Sequence, residues 1–137
     1  MGDLTNNFSR SEFACRCGCG EDRINPLLVE RLQLARDFRG RSVTITSGCR
    51  CPAHNAAEGG SPTSSHLVKA RGGSTEELAD AGDVEVRGGE DRYDLDGALR
   101  AAGIRRIGVA RRFIHADVDP DKPAPALFTY DKVPASE

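Results

Sequence analysis

The sequence predicts an α+β fold, in which a small and mostly antiparallel sheet has helices packed on one side. Two stretches, Pro26 to Gly40 and 91–102, repeat their apolar residues at helical spacing. Short runs between and after them have the composition of strands, at 42–46, 83–86, 106–109, 113–118 and 127–130. Elements of both kinds in 137 residues are expected to form one domain over 1–137.

The first long helix has the clearest limits. Asn25 and Pro26 form an N-cap and N1 pair, and Gly40 can end the helix. The apolar face is assigned to the core and comprises Leu28, Leu32, Ala35 and Phe38. Residues 1–8, which precede these elements, are expected to form a loose arm.

Capping signals predict two short helices. Ser9 and Glu12 have capping-box spacing, so a helix is expected to start there and to stop at the Cys- and Gly-rich loop. Ser74 and Glu77 repeat this spacing and predict a helix over 75–79.

The other elements follow in short succession. A helix is predicted over 52–57, and the Gly/Pro loop after it should deliver His66. The second long helix is closed by Gly103 and offers three side chains for packing, Tyr93, Leu95 and Leu99. The strands 106–109 and 113–118 should form a hairpin. An edge strand and a loose end at 131–137 should complete the chain.

Composition excludes several classes of protein. The net charge is −2 and no basic stripe dominates, so nucleic acid is not expected as the main partner. No apolar run approaches the roughly 18 residues of a membrane span. The N-terminus lacks the basic start and apolar core of a secretory signal, so synthesis in the cytoplasm is expected. We also expect a monomer.

Two histidines and an aspartate form a candidate zinc set. His66 and His115 are two of the three histidines in the chain, and Asp83 opens a predicted strand. Neutral imidazole and carboxylate both bind Zn²⁺. Three protein ligands leave a fourth position for water, which distinguishes a catalytic zinc site from a structural one.

The five cysteines cannot all form disulfides, because their number is odd. They fall into two groups with one residue between neighbours, Cys15, Cys17 and Cys19 and then Cys49 and Cys51. One interpretation is a second, structural metal site that draws on both groups, although Cys-x-x-Cys is the commoner spacing. The others are one or two disulfides, or reduced thiols near the surface.

Five segments carry a resemblance to a known family. In chain order they are Ser47–Asn55, Gly59–Pro62, Ser65–Leu67, Ala81–Val84 and Phe113–Val118. Together they resemble the zinc D-Ala-D-Ala carboxypeptidase family, peptidoglycan peptidases that share their zinc fold with the hedgehog signalling domain. The resemblance covers roughly residues 8 to 130. It implies a zinc cofactor, a peptidoglycan peptide as substrate, and the same α+β fold.

The aspartate position departs from the family pattern. The family usually places its Asp seven residues after the first His, whereas Asp83 lies seventeen residues after His66. We interpret 68–78 as containing a ten-residue insert. Other carboxylates compete with Asp83 for the ligand role, namely Asp80 and, if the insert folds over the site, Glu76 and Glu77.

The resemblance implies a substrate-binding role for Arg50, which stands in a Ser-Gly-x-Arg motif. A carboxypeptidase must recognise a free C-terminal carboxylate, and a planar guanidinium does so with two parallel hydrogen bonds. A surface salt bridge is the alternative. Ser65 and His54 are expected to support the metal site from outside the ligand set.

Asp117 is the candidate general base. Zn²⁺ lowers the pKa of its water to about 7 and polarises the scissile carbonyl, while a carboxylate passes the proton of the water to the leaving amine. Asp117 lies two residues after His115, so the two side chains share a face if the segment is a strand. The alternative is that Asp117 only orients a ligand.

Three functions are therefore compared. The first is a zinc peptidase that acts on peptidoglycan stem peptides, for example a phage-type enzyme released at lysis or a bacterial protein exported by another route. The second is a zinc module without a working base or substrate cleft. The third is a structural phage protein that only binds the cell wall.

Overall fold

The computed structural model describes residues 2–130. Its helices are a 3₁₀ helix at Arg10–Phe13 and three α-helices, α1 (Pro26–Arg39), α2 (Pro52–Ala57) and α3 (Gly89–Ala101). Its strands are β1 (Ile45–Ser47), β2 (Lys69–Ala70), β3 (Glu77–Leu78), β4 (Ala81–Glu85), β5 (Arg106–Val109), β6 (Phe113–Asp117) and β7 (Ala126–Thr129). No helix of this described part is long and apolar enough to cross a membrane.

Five of the strands form one sheet in the order β1-β4-β6-β5-β7. The neighbours are antiparallel except for β5 and β7, which run parallel. The strands β2 and β3 form a separate two-stranded ribbon. The predicted α+β fold with a mostly antiparallel sheet is therefore confirmed, and so is the hairpin of β5 and β6.

The two faces of the sheet differ in what they carry. The side chains of Leu28 and Leu32 in α1 reach Gly82 of β4, and Gly82 lies opposite Ala116 of β6. The helix α1 also packs against α3, so the two long helices cover this face. Each fully buried leucine in this layer contributes about 1.5–3 kcal/mol to stability. The alternate residues of β4 and β6, which include His115, point to the opposite face.

The ends of α1 follow from its flanking residues. The Asn25 side chain accepts a hydrogen bond of 2.9 Å from the backbone N–H of Leu27, and Pro26 occupies the first turn. Gly40 ends the helix with φ of 67°, in the left-handed region that favours glycine. The predicted limits of this helix are therefore confirmed.

The helix predicted over 75–79 is wrong. The segment contains β3, which pairs with β2 in the ribbon. Ala79 continues in extended conformation, because its backbone N–H bonds the carbonyl of Arg23 and its carbonyl accepts from Asn25. Pairing with the chain before α1 therefore overrides the local capping signal. The ten residues interpreted as an insert form this ribbon.

Three packing predictions are also wrong. Residues 2–8 do not form a loose arm, because Phe8 is buried in the core and Thr5 donates a hydrogen bond to Gln33. Phe38 and Tyr93 are 59% and 84% exposed, so neither packs in the core. Periodicity identifies the helix, but the edge of an apolar face is decided by what the neighbouring elements cover. The predicted loose end at 131–137 lies outside the described residues.

Candidate metal centre and substrate cleft

The side chains of His66, Asp83 and His115 converge beside an open cleft of about 690 Å³. Nε2 of His66 lies 3.2 Å from Oδ1 of Asp83, and Nδ1 of His115 lies 3.0 Å from the same oxygen. All three side chains are buried. The structure therefore brings together the three residues that the sequence predicts as ligands.

The other nitrogen of each histidine already has a hydrogen-bond partner. Nδ1 of His66 lies 2.7 Å from the carbonyl oxygen of Gly48, which can only accept, so Nδ1 carries the hydrogen. Nε2 of His115 lies 2.7 Å from Oδ2 of Asp117 and donates to that carboxylate. When the imidazoles are neutral, these bonds place the hydrogens on these two atoms and leave lone pairs on Nε2 of His66 and Nδ1 of His115.

These three atoms fit a zinc ion. In the neutral imidazoles two nitrogen lone pairs face one carboxylate oxygen, an arrangement that a cation bound between them stabilises. Zinc bonds of about 2.0–2.1 Å in tetrahedral geometry separate ligand atoms by about 3.3 Å. The observed separations of 3.0 and 3.2 Å are close to that value. The three residues can therefore hold a zinc ion, and a set of three ligands would leave one coordination position for water.

The backbone explains how the ligands meet. Asp83 lies directly opposite His115 in the antiparallel pair of β4 and β6, so both project from the same face. His66 arrives from the loop after α2, where its carbonyl accepts a 2.9 Å hydrogen bond from the N–H of Arg50. A Cβ on Gly48 would lie 2.8 Å from the backbone of Phe13, so only glycine allows its carbonyl to reach His66.

The pKa values of the centre are shifted by burial and by the neighbouring charges. Burial would lower the pKa of His115, but its hydrogen bonds with Asp117 and Asp83 make the net shift upward. Burial lowers the pKa of His66, which keeps this imidazole neutral. Burial would raise the pKa of Asp83, but the neighbouring histidines outweigh it and the net shift is downward. Burial would also raise the pKa of Asp117, and the hydrogen bond from His115 again makes the net shift downward. Both carboxylates are therefore ionised.

Asp117 lies on the far side of His115 from the converging ligand atoms. Its Oδ2 pairs with His115, and its Oδ1 accepts from Nε of Arg106 at 2.9 Å and from the backbone N–H of Asp119 at 3.1 Å. A carboxylate that orients a ligating imidazole in this way fixes its tautomer and ring position. The geometry favours the orienting role over the base role, and catalysis through Asp117 stays a prediction.

Arg50 lines the cleft next to Asp83. The Nη2 atom of Arg50 lies 3.6 Å from Oδ2 of Asp83. Its Nε donates a hydrogen bond to Ser47, and its Nη1 donates one to Asn55. The side chain is mostly buried, which argues against a simple surface salt bridge. Arg50 therefore places a positive charge beside the candidate metal centre, at the wall of the cleft.

The competing carboxylates lie elsewhere. Asp80 is buried and bonds Asn25 and Arg71. Glu76 and Glu77 line a separate surface depression, and Glu77 forms an ion pair with Arg23. The insert therefore does not fold over the metal centre, and none of these three residues is placed to act there.

The two predicted supporting residues differ. Ser65 is buried and donates to Asp119, the residue whose N–H bonds Asp117, so it contributes to the same network. Lys122 adds a 2.9 Å hydrogen bond to the Ser65 hydroxyl. The side chain of His54 has no hydrogen bond among the described residues.

The structure adds an aromatic wall that the sequence reading missed. The Phe128 ring lies 5.6 Å from the His115 ring, and Tyr130 lies 5.0 Å from Phe113. A Cβ on Gly108 would lie 2.3 Å from the Phe128 ring, so β5 needs glycine beneath it. The alternation of side chains along β7 could have indicated that Phe128 faces inward. The parallel pairing of β7 with β5, which brings Phe128 to the cleft, could not be read from the sequence.

Comparison with known proteins agrees with this geometry. A family model described as Peptidase M15 matches residues 6–117, which is most of the chain and includes all three converging residues. No curated protein matches the chain. Because the family model covers well over half of the sequence, the chain belongs to the peptidase M15 family of zinc metallopeptidases.

Proposed function

We propose that the protein is a zinc-dependent peptidase that hydrolyses peptidoglycan stem peptides, in the manner of a D-Ala-D-Ala carboxypeptidase. One observation carries the proposal: three ligand atoms with fixed tautomers converge at the wall of an open cleft that also contains Arg50. A metal centre that faces a cleft is suited to chemistry on a bound substrate.

The residues of the chain have distinct tasks in this proposal. His66, Asp83 and His115 would hold the zinc, which would supply a Lewis acid for the scissile carbonyl and for the attacking water. Gly48 and Asp117 keep the two imidazoles in the ligating tautomer. This support fixes the centre before substrate arrives, so little reorganisation is needed during the reaction.

Arg50 is proposed to bind the C-terminal carboxylate of the substrate. The guanidinium is held by Ser47 and Asn55, and Nη2 makes only the long 3.6 Å contact with Asp83. A substrate carboxylate can therefore approach this nitrogen without displacing a short hydrogen bond. The aromatic rings of Phe128 and Tyr130 line the same cleft and offer an apolar surface to an alanine side chain.

A carboxylate of the cleft is proposed to carry the proton from the attacking water to the leaving amine. Asp117 is one candidate, but both of its oxygens are engaged. Glu58 also lines the cleft, is exposed, and has no side-chain hydrogen bond or ion pair within residues 2–130. Comparison of Asp117→Asn with Glu58→Gln therefore tests which carboxylate acts as base.

The decisive experiment is mass spectrometry of purified peptidoglycan fragments after incubation with the zinc-loaded protein. A carboxypeptidase releases the terminal D-alanine from pentapeptide fragments, whereas an endopeptidase cuts within the stem or the cross-link. A chelator should abolish the product and added zinc should restore it. Unchanged fragments with zinc-loaded, folded protein would exclude peptidase activity on this substrate.

A non-catalytic zinc module is the second candidate. Two observations favour it, the engagement of both Asp117 oxygens and the absence of an acidic residue at Arg111, Arg112 and Phe113, just before His115. Such a module would bind cell-wall fragments without turnover. Binding of intact peptidoglycan fragments by the zinc-loaded protein, with no product in the same mixture, would support this function over the enzyme.

A further inference from the structure

Four of the five cysteines form a second cluster, away from the cleft. The sulfur atoms of Cys15, Cys17, Cys19 and Cys51 all lie within 4.8 Å of one another. Cys15 and Cys17 are 3.4 Å apart, and Cys17 and Cys51 are 3.7 Å apart. Two separate parts of the chain therefore deliver thiols to one point.

The local backbone is folded so that this convergence is possible. Alternating residues of an extended chain share a face but are spread along it. Here Gly18 and Gly20 have φ of 84° and 91°, which turns the chain back on itself. The N–H of Gly18 bonds the carbonyl of Cys15, and the N–H of Cys15 bonds the carbonyl of Glu21. The three thiols of this loop therefore surround one volume.

Backbone N–H groups point at the sulfur atoms. The N–H of Cys51 lies 3.5 Å from Sγ of Cys15, and the N–H of His54 lies 3.4 Å from Sγ of Cys51 at the start of α2. Donors of this kind stabilise thiolates.

Cys49 stands apart from the other four. It is buried in the hydrophobic core, where its N–H bonds the carbonyl of Phe13. Its sulfur is not part of the group of converging thiols. The odd number of cysteines therefore divides into a cluster of four and one core residue.

We propose that Cys15, Cys17, Cys19 and Cys51 bind a second zinc ion in a closed, structural four-thiolate site. Zinc–sulfur bonds of about 2.3 Å in tetrahedral geometry separate sulfur atoms by about 3.8 Å, close to the distances observed. Binding deprotonates the four thiols and releases their protons to solvent. No position remains for water, so this ion does not act on substrate.

The site ties the N-terminal loop to the segment that builds the cleft. Cys51 caps α2 and directly follows Arg50, whose N–H holds the backbone of His66. The carbonyl that orients His66 belongs to Gly48, three residues before Cys51. The second zinc therefore stabilises the segment that carries Arg50 and that holds His66 in place.

The test separates the two centres by removing one at a time. In a His66→Ala, His115→Ala variant, elemental analysis should find one zinc per chain, held by the cysteines. Adding Cys17→Ser and Cys19→Ser, both at exposed positions, should remove it. Adding Cys49→Ala instead is the matched control, and this variant should keep the zinc ion held by the cysteines. Replacement by cobalt should give thiolate-to-metal charge-transfer absorption only when the four cysteines are present.

Other outcomes would overturn the proposal. They are the absence of zinc from the histidine variant, retention of zinc after the two serine substitutions, or a mass lower by two hydrogens per disulfide in protein purified without reductant. If the histidine variant does not fold, the otherwise wild-type chain with Cys17→Ser and Cys19→Ser should hold one zinc instead of two. None of these readouts depends on peptidase activity.

Discussion

The histidine centre and the cysteine cluster are built in opposite ways. The three ligands of the first are buried side chains, two of them on neighbouring strands of the sheet, and they face a cleft. The four thiols of the second sit on turns, with Cys17 and Cys19 exposed. The first has three candidate ligand side chains beside an open cleft, and the second has four thiols around one point.

This difference shows how surroundings separate a site for chemistry from a site for stability. The histidines are held by a carbonyl and by Asp117, which fix the tautomers that a reactive centre needs. The cysteines are held by backbone N–H groups, which favour thiolates and require no particular side chain nearby. Changes at the first centre should therefore affect the reaction, and changes at the second should affect the fold.

The largest expected effect is loss of the histidine centre. His66→Ala removes a ligand and the Gly48 hydrogen bond, so the cleft zinc and all peptidase activity should be lost. His54→Ala is the matched control, because His54 is near His66 in sequence but lies outside the converging set. This variant should keep both the cleft zinc and the activity. Zinc content and product formation are measured together. Full activity in His66→Ala would place the chemistry elsewhere.

The next effect comes from Asp117→Asn. If Asp117 is the base, kcat should fall by roughly 10²–10⁴-fold with zinc content unchanged. If it orients His115, as its hydrogen bonds favour, zinc affinity should fall by about 10–100-fold and excess zinc should restore activity.

Measurement of kcat at saturating zinc together with zinc affinity separates these roles of Asp117. Glu58→Gln is measured in parallel, and a large fall in its kcat alone would identify Glu58 as the base. Wild-type values of both quantities in Asp117→Asn would exclude Asp117 from the centre.

Arg50→Ala tests whether the cleft recognises a carboxylate. Loss of a charge-assisted hydrogen bond of about 1.5–3 kcal/mol should lower kcat/KM by roughly 10–150-fold on substrates with a free C-terminus. Zinc should remain bound. Arg50→Lys should rescue only in part, because an ammonium cannot keep the hydrogen bonds to Ser47 and Asn55 that hold the guanidinium while Nη2 faces the substrate. Equal rates of the wild-type protein on C-terminally amidated peptides would argue for an endopeptidase.

The smallest effect on activity is expected from Cys17→Ser with Cys19→Ser. These exposed positions do not touch the cleft, so kcat should change less than about 10-fold, the limit set by a shift of about 1.4 kcal/mol. The melting temperature should fall, because a ligand held at 100 times its Kd stabilises the fold by about 2.7 kcal/mol. A variant that loses its activity without losing stability would contradict the division between the two centres.

The sequence determined most of the elements, and it predicted the three side chains that meet at the first centre. The N-cap at Asn25, the C-cap at Gly40 and the hairpin of β5 and β6 follow from local rules that act over a few residues. His66, Asp83 and His115 were identifiable because zinc accepts few residue types. Local rules failed at 75–79, where a capping signal predicts a helix. Pairing of Ala79 with the chain near Arg23 makes this segment extended instead.

Only the tertiary structure decided which groups meet. The choice of Asp83 over Asp80 rests on the register that places Asp83 opposite His115, while Asp80 bonds Arg71 instead. The same is true of the cysteines, because the spacing cannot tell that Cys51 joins the cluster and Cys49 enters the core. Spacing along the chain limits which residues can meet, but long-range pairing and burial select the partners, since these terms depend on residues far apart in sequence.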